Sequence, residues 1–420
     1  MDADMPKDRQ ASKVLDIAAI RRDFPILDTS VGAFPLCYLD NAATTQVPKP
    51  VLDHLLEHYE TANANIHRGL HHLASLSTVA YEHARAQAAA FVNAADPDHI
   101  VFTKGTTNSI NMVASGLSRR LKAGDKVVAT ALEHHSNYVP WQKACERSGA
   151  TFVVAGLDGD QCIDLEHLSR CAEGATIVAA TCCSNITGEV TPFRSIVDIA
   201  HKAGALCLLD GAQAMRHVLM DVQDAKCDYL CFSGHKMMAP TGIGVLYGTQ
   251  EALEMLDPSE YGGEMVDIVR EGGTTLQPVP LRLEAGTPNY VGAIMLGHAI
   301  DYLISCDREA IRQYEDELLA HAEMALRGIG GLQIIGNPKN RSGCLSFNVH
   351  GVHPLDLCVM LNQKGIALRS GNSCAQPFLH GVLGINHAAR LSVAFYNTME
   401  EIDRAAEVIR QTIPLVRQNF

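Results

Sequence analysis

The chain has 420 residues, of which 47% are hydrophobic and 19% are charged, and its formal net charge is −13. A chain of this length can bury a large core without disulfide or metal crosslinks, and an acidic balance without a Lys/Arg cluster argues against nucleic acid as a partner. The polar start of the chain resembles no signal peptide, and no apolar run approaches the ~18 residues that span a bilayer. We therefore expect a cytoplasmic protein with no membrane partner.

The first half of the chain alternates short apolar runs with helical patterns, after a helix predicted over residues 14–22. This alternation is typical of a mainly parallel sheet covered by helices, so the predicted fold class is α/β. The predicted strands are 126–130, 176–181, 205–209, 229–232 and 243–247, and the predicted helices are 73–93, 107–121 and 195–203.

The second half of the chain begins after a Gly/Pro-rich stretch at 271–288 that interrupts this rhythm. Two long helical patterns follow, and then a further alternation with strands from Cys344, Ile366 and Arg390, a helix from Pro354 and a closing helix after Asn397. This pattern predicts three units. Residues 1–30 form an N-terminal helical segment, residues 31–290 a large ligand-binding domain and residues 291–420 a small C-terminal domain. The N-terminal segment is expected to pack on the small domain.

Two ionisable residues follow predicted strands. Lys236 lies just beyond one strand end, where partial desolvation would lower its pKa and favour Schiff-base chemistry, although most lysines at strand ends are simply solvated. Asp210 ends another apolar strand and would be costly to bury without a cationic partner, such as the ring nitrogen of pyridoxal phosphate. A capping or turn role is the alternative for Asp210.

Two further segments are candidates for the same cleft. Gly105-Thr106-Thr107 precedes a helix, and free N–H groups at a helix start bind an anion, unless Thr106 is an ordinary N-cap. His134 follows the strand KVVAT closely enough to stack on a cofactor and to move protons, with a structural histidine as the alternative. The histidine pairs at i, i+4 have no third ligand, so no metal site is predicted.

The chain contains 13 cysteines, none of them in a CxxC pair. Most lie in apolar runs and are expected to be buried packing residues in a reducing compartment. Cys374 differs because it lies in a polar, Gly-containing segment, which makes it the candidate reactive thiol. Arg390 could hold a substrate carboxylate with two hydrogen bonds, or it could form a salt bridge.

Ten segments together resemble the cysteine desulfurases of the class V aminotransferase family, which have pyridoxal-phosphate fold-type I, and within it the SufS and CsdA-like (group II) branch. They are DNAATTQVP, HRGLHHL, GTTNSINMVA, EHHSNYVPWQ, SNITGEV, DGAQA, SGHKMMAPTGIGVLYG, EAGTPN, RSGNSCAQP and RLSVAFYNTMEEID. The branch usually has His directly before its cysteine, whereas this chain has Asn372-Ser373.

The resemblance implies pyridoxal 5'-phosphate as cofactor and a large domain with a mainly parallel seven-stranded sheet. Lys236 would bind the cofactor covalently, Asp210 would pair with the pyridine nitrogen, and His134 would stack on the ring. Gln213 would bond the ring hydroxyl. The phosphate would be held by Thr106, Thr107, Ser233, His235 and, from a neighbouring subunit of a homodimer, Thr287.

The resemblance also implies the reaction. Asn185 and Arg390 would orient the carboxylate of L-cysteine, Cys374 would accept its sulfur as a persulfide, and L-alanine would leave, with Lys236 and His134 carrying protons. The sulfur would pass to an acceptor protein (SufE/SufU-like or a cluster scaffold) for iron–sulfur cluster assembly. The alternatives are a selenocysteine lyase, a transaminase or racemase, and an inactive scaffold.

Overall fold

The computed structural model describes residues 15–419, so residue 14 of the helix predicted over 14–22 and residues 1–14 of segment 1–30 lie outside the described residues. The α-helices are α1 (Ile17–Arg21), α2 (Lys49–Thr61), α3 (His72–Phe91), α4 (Thr106–Ser118), α5 (Val139–Ser148), α6 (Leu165–Ala172), α7 (Phe193–Lys202), α8 (Val222–Ala225), α9 (Gln250–Glu254), α10 (Tyr290–Ser305), α11 (Arg308–Arg327), α12 (Pro354–Asn362) and α13 (Met399–Asn419). No helix among residues 15–419 is long and apolar enough to cross a bilayer.

The strands form one large sheet, one smaller sheet and three two-stranded pairings. They are β1 (Ser30–Val31), β2 (Phe34–Pro35), β3 (Cys37–Tyr38), β4 (Ile100–Thr103), β5 (Lys126–Thr130), β6 (Thr151–Ala155), β7 (Ile177–Thr181), β8 (Leu206–Asp210), β9 (Tyr229–Ser233), β10 (Gly244–Gly248), β11 (Val266–Arg270), β12 (Gly273–Leu276), β13 (Leu332–Ile335), β14 (Cys344–Val349), β15 (Ile366–Ala367), β16 (Arg369–Gly371) and β17 (Ala388–Ser392).

The large sheet has seven strands in the order β4-β10-β9-β8-β7-β5-β6. Strand β10 runs antiparallel to both of its neighbours, and the pairs from β9 to β6 are parallel. The predicted α/β class with a mainly parallel seven-stranded sheet is therefore confirmed.

Helices cover both faces of this sheet, which explains why its central strands are continuous apolar runs. Along β7, Ile177 and Ala179 join one core with Trp141 of α5, whereas Val178 and Ala180 join the core on the other face with Ile196 of α7. The alternation follows the two-residue period of a strand.

A second, antiparallel sheet has the order β13-β14-β17-β16 and packs with α11, α12 and α13 in a separate core. Helix α10 packs against α2 and α3. Arg21 of α1 donates to the carbonyl oxygen of Tyr396 and to Glu401. The division of the chain at residues 30 and 290 stays a prediction.

Some elements were not anticipated by the pattern of the sequence. Strands β4 (IVFT) and β6 (TFVVA) form the two edges of the large sheet and were not predicted, although each contains an apolar run. The Gly/Pro-rich stretch, expected only to interrupt the alternation of strands and helices, contributes to a hairpin of β11 and β12. Its strands are mostly exposed, and therefore lack the burial pattern that signals a strand.

Candidate active site

One cavity of about 250 Å³ lies at the carboxyl ends of β7, β8 and β9, whose last residues Thr181, Asp210 and Ser233 line its wall. Ligands of open α/β sheets bind at this edge. The structure brings these residues predicted from the sequence to the cavity: Thr106, Thr107, His134, Asn185, Asp210, Gln213, Ser233, His235, Lys236, Cys374 and Arg390. Thr287 is not among them and lines a separate cavity with Asn108 and Glu284.

Lys236 lies on the connection of residues 234–243 between β9 and β10, which are antiparallel neighbours. Gly234 N–H donates to the Ile243 carbonyl at 3.0 Å, and Thr45 N–H donates to the His235 carbonyl at 2.9 Å, so the backbone on both sides of the lysine is fixed. Burial lowers the pKa of Lys236 to about 8, with Asp210 opposing the shift and Arg390 adding to it. A large neutral fraction near pH 8 makes this amine a competent nucleophile.

Asp210 is buried, and its Oδ1 atom accepts a hydrogen bond from Ala212 N–H at 2.9 Å. No donor among residues 15–419 bonds to its Oδ2 atom. Burial raises the pKa of this carboxyl above its ordinary value, against the effects of the Ala212 N–H and the Lys236 charge. A cationic N–H group in the cavity would stabilise the carboxylate form.

The N-terminus of α4 provides an anion site at one side of the cavity. Thr106 N–H donates to Ser233 Oγ at 2.8 Å, and the two hydroxyls lie 2.7 Å apart. Gly244 permits this contact, because a Cβ atom there would lie 2.4 Å from Gly105 Cα. Backbone N–H groups, hydroxyls and the helix dipole attract an anion without any basic side chain.

His134 is held in one neutral form. Its Nδ1 atom accepts a hydrogen bond from Ser136 N–H at 3.1 Å, so the ring proton resides on Nε2. Burial, reinforced by the charge of Lys236, lowers the pKa of His134 to about 3. Burial and Lys236 likewise lower the pKa of His235 to about 4. The cavity therefore contains two uncharged imidazoles at neutral pH.

Cys374 lies in the loop between β16 and a short π-type helix at Pro377–Val382. Ser373 and Cys374 have φ values of +45° and +56°, a left-handed conformation that residues other than glycine adopt rarely. Asn372 Oδ1 accepts from Cys374 N–H at 2.9 Å, and Asn185 Nδ2 donates to the Ser373 carbonyl at 2.7 Å. Asn372 thus supports the turn directly. All thirteen cysteines lie in the described part of the chain, and of these only Cys374 is exposed.

Arg390 is buried beside Asn185, whose carbonyl oxygen accepts from Nη1 at 3.0 Å. Its Nε atom is buried and has no hydrogen-bond partner among the described residues. Asp40 accepts from Arg390 Nη2 at 3.3 Å and from Arg369 Nε at 3.1 Å. No role was predicted for Asp40 or Arg369 from the sequence, although both lie in its family-like segments.

No metal centre accompanies these residues: within 15–419, no three His, Cys, Asp or Glu side chains are grouped so that they could hold a metal ion. One of the histidine pairs at i, i+4, His54 and His58, lies on α2. His54 stacks on His298 with ring centroids 3.8 Å apart.

The model of the aminotransferase class-V family matches residues 37–405, which is most of the chain. The chain belongs to this family. Class V aminotransferases and cysteine desulfurases depend on pyridoxal phosphate.

Two relatives within the class V family are named as a cysteine desulfurase or a probable cysteine desulfurase. The chain is 46% identical over 398 residues to a cysteine desulfurase of Synechococcus elongatus, and the match covers 94% of this chain but only 63% of that relative. It is 43% identical to a probable cysteine desulfurase of Halalkalibacterium halodurans, covering 94% of this chain and 97% of the relative.

Two solved structures share the fold of this chain over nearly its whole length. The apo cysteine desulfurase of Thermococcus onnurineus has a TM-score of 0.90 at 36% identity and covers 97% of this chain and 100% of that one. The cysteine desulfurase CsdA of Escherichia coli has a TM-score of 0.88 at 37% identity and covers 96% and 100%.

The cavity fits the cofactor of the class V family. Asp210 offers an oxygen without a partner to a ring N–H, the start of α4 offers donors to a phosphate, and Lys236 offers an amine of lowered pKa to an aldehyde. Residues of all three groups line the same cavity.

Proposed function

We propose that this chain is a pyridoxal-phosphate-dependent cysteine desulfurase, which converts L-cysteine to L-alanine and leaves a persulfide on Cys374. The placement of Cys374 carries this proposal, because an exposed thiol in a left-handed turn lines the same cavity as Lys236 and Arg390. Transamination and racemisation include no step that requires such a thiol. The names of the relatives that match most of the chain support the same activity.

In this proposal the cofactor, when bound, supplies an electron sink that acidifies the substrate α-proton and weakens the bond from Cβ to sulfur. Lys236 would hold it covalently, Asp210 would pair with its ring nitrogen and His134 would stack on the ring. Gln213, whose Nε2 atom also donates to the Ala42 carbonyl, would bond the ring hydroxyl. Thr106, Thr107, Ser233 and His235 would hold its phosphate.

Arg390 and Asn185 hold the substrate carboxylate, which offers acceptors to the Arg390 guanidinium. Lys236 would move a proton from the substrate α-carbon, because its lowered pKa suits an acid–base role near pH 8. The Cys374 thiolate attacks the substrate sulfur. The sulfur–carbon bond breaks as the sulfur–sulfur bond forms, and its electron pair stays on Cβ, which takes up a proton. Return of a proton to the α-carbon then gives alanine.

We also propose a homodimer. Helices α2 and α3 both pack on α10 and expose large apolar side chains, including Leu56 at 60%, Tyr59 at 56% and Val79 at 66%. Exposed apolar surfaces of this kind mark interfaces. The family resemblance implies that Thr287 of the second copy would then contribute to the phosphate site. Sedimentation of Val79→Asp, compared with the wild type, tests the dimer, and an unchanged dimer would contradict this choice of surface.

The persulfide then passes to an acceptor protein for iron–sulfur cluster assembly, as expected for the SufS-like branch. We place this activity in the cytoplasm, because the thirteen cysteines include no disulfide in the described structure. The exposed position of Cys374 supports transfer, since the same sulfur must face substrate and then acceptor.

The deciding experiment measures alanine and protein persulfide from L-cysteine after reconstitution with pyridoxal phosphate. We expect equal amounts of both from the wild type and from the control Cys171→Ser, and neither from Cys374→Ser or Lys236→Ala. Cys374→Ser should retain the cofactor absorbance, which Lys236→Ala should lose. Alanine without persulfide in the wild type would overturn the proposal in favour of another class V activity. Activity of Cys374→Ser on selenocysteine alone would indicate a selenocysteine lyase.

A further inference from the structure

We propose that His135 is a positioning residue that holds the Cys374 loop in place for sulfur transfer. The inference rests on the proposed function. It assigns a separate task to each member of the His134-His135 pair, since His134 faces the cofactor cavity and His135 contacts the loop.

His135 makes two hydrogen bonds to the loop, at the cysteine itself and just after it. Its backbone N–H donates to the Cys374 carbonyl at 2.7 Å, and its ring Nε2 atom accepts from Gln376 N–H at 3.1 Å. Because a backbone N–H can only donate, Nε2 must be unprotonated, and the proton of the neutral ring is on Nδ1. His134 is therefore held in the opposite tautomer.

The loop needs such contacts because its own conformation is unfavourable. Ser373 and Cys374 are consecutive left-handed residues with a Cβ atom, and conformations of this kind persist only where the surroundings impose them. Asn372 and Asn185 contact the N-terminal side of the cysteine. His135 provides two contacts on the C-terminal side, and substitution of its side chain would remove the one that holds Gln376 N–H.

The ring contact depends on protonation. Burial lowers the pKa of His135 below its ordinary value, which keeps the ring neutral and able to accept at neutral pH. The titratable groups that face it are His134, with ring centroids 6.3 Å apart, Cys374 in the loop, and those that line an adjoining cavity, namely Tyr138, His380 and His387. Protonation of His135 would remove the acceptor and release Gln376 N–H.

Hydrogen exchange of the cofactor-free protein tests the contact without any enzyme assay. We expect the Gln376 amide to exchange at least tenfold faster in His135→Leu than in the wild type, and at nearly the wild-type rate in His135→Gln, whose amide oxygen can still accept. His135→Asn is polar but too short to reach, so it should resemble His135→Leu and serves if the leucine variant does not fold. His380→Leu is the matched control and should leave the Gln376 amide unchanged.

A pH series separates positioning from general stability. After correction for the intrinsic pH dependence of exchange, protection of the Gln376 amide should fall in the wild type as the pH drops from 7 to 5, and it should stay constant in His135→Gln. Equal protection in all variants, or a His135→Gln variant as unprotected as His135→Leu, would overturn the inference.

The reconstituted enzyme supplies the functional readout. His135→Leu should bind pyridoxal phosphate and L-cysteine with wild-type absorbance changes, but form persulfide at least tenfold more slowly, and His135→Gln should recover most of that rate. Equal persulfide rates in His135→Leu and the wild type would overturn the role in transfer. If the wild type forms no persulfide, the proposed function fails while the exchange data still decide whether His135 holds the loop.

Discussion

Nη2 of Arg390 lies 3.3 Å from Oδ1 of Asp40, so a carboxylate of the protein already contacts the guanidinium proposed to bind the substrate carboxylate. Arg369 contacts the same oxygen. The three side chains show that this wall of the cavity attracts carboxylates, and that its two positive charges are partly neutralised before substrate binds.

Arg390→Lys should raise the KM for L-cysteine by about tenfold or more, equivalent to about 1.4 kcal/mol, with a smaller effect on kcat. An ammonium cannot bond the Asn185 carbonyl and also present two parallel donors to a carboxylate. Steady-state kinetics measures the change. The matched control is Arg282→Lys, whose guanidinium bonds the Leu253 carbonyl away from the cavity and should leave KM unchanged. A KM within twofold of the wild type in Arg390→Lys would contradict the assignment.

Cofactor binding to the cofactor-free protein should speed up with pH and level off above about pH 8. The reason is that only the neutral amine of Lys236 reacts with an aldehyde, and burial lowers its pKa to about 8. Absorbance after mixing with pyridoxal phosphate gives the rate at each pH. A free lysine side chain, with a pKa of about 10.4, is the reference and should continue to accelerate beyond pH 8. The same continued rise in the protein would refute the lowered pKa.

Acid should destabilise the cofactor-free protein partly through His134. The folded protein resists protonation of this ring down to about pH 3, whereas the unfolded chain binds the proton below about pH 6.5. The unfolded state thus holds more protons in this window, and the free energy of unfolding falls as the pH drops, by up to about 1.4 kcal/mol per pH unit. Urea midpoints at pH 7.5 and 5.5 should fall less in His134→Gln than in the wild type. Parallel losses would rule out the effect.

The buried ion pair between Arg85 and Glu284 should matter strongly for stability. Arg85 donates to both carboxylate oxygens, at 2.7 and 3.0 Å, and both side chains are almost completely buried. Arg85→Met leaves the carboxylate without its counterion and should cost about 3–5 kcal/mol. The double variant Arg85→Met/Glu284→Leu should recover much of the loss in urea unfolding. The control is the exposed ion pair between Lys143 and Glu146. Lys143→Met should leave the urea midpoint unchanged. A double variant less stable than Arg85→Met would contradict this account.

Strands buried on both faces were predictable because short, continuous apolar runs bounded by turn residues are typical of central strands in a parallel sheet. The strand predicted over 126–130 has the observed bounds, and those near Thr181 and Asp210 differ by one residue. The exposed hairpin Val266–Leu276 was not predictable, because its strands pair with each other and bury little, so the sequence shows no periodic apolar face.

The position of Lys236 and Asp210 in the site was predictable, because each side chain follows or ends a predicted strand. The roles proposed for them came from the family resemblance. His135 was recognisable as a residue of the EHH segment, but its task was not, because one of its two loop contacts is made by the backbone. Asp40 lies far along the chain from Arg390, and only the folded chain brings their charges together.

The two proposed reacting groups differ in how their backbone is tethered. Lys236 follows a strand of the central sheet, and the connection that bears it joins two adjacent strands of that sheet. The Lys236 amine can therefore change position only by rotation about its side-chain bonds. Cys374 is on a loop joined to an edge strand of the smaller sheet and fastened by individual hydrogen bonds. The central sheet thus fixes the backbone at Lys236, whereas Cys374 lies on an exposed loop outside that sheet, where its thiol is accessible both from the cavity and from solvent.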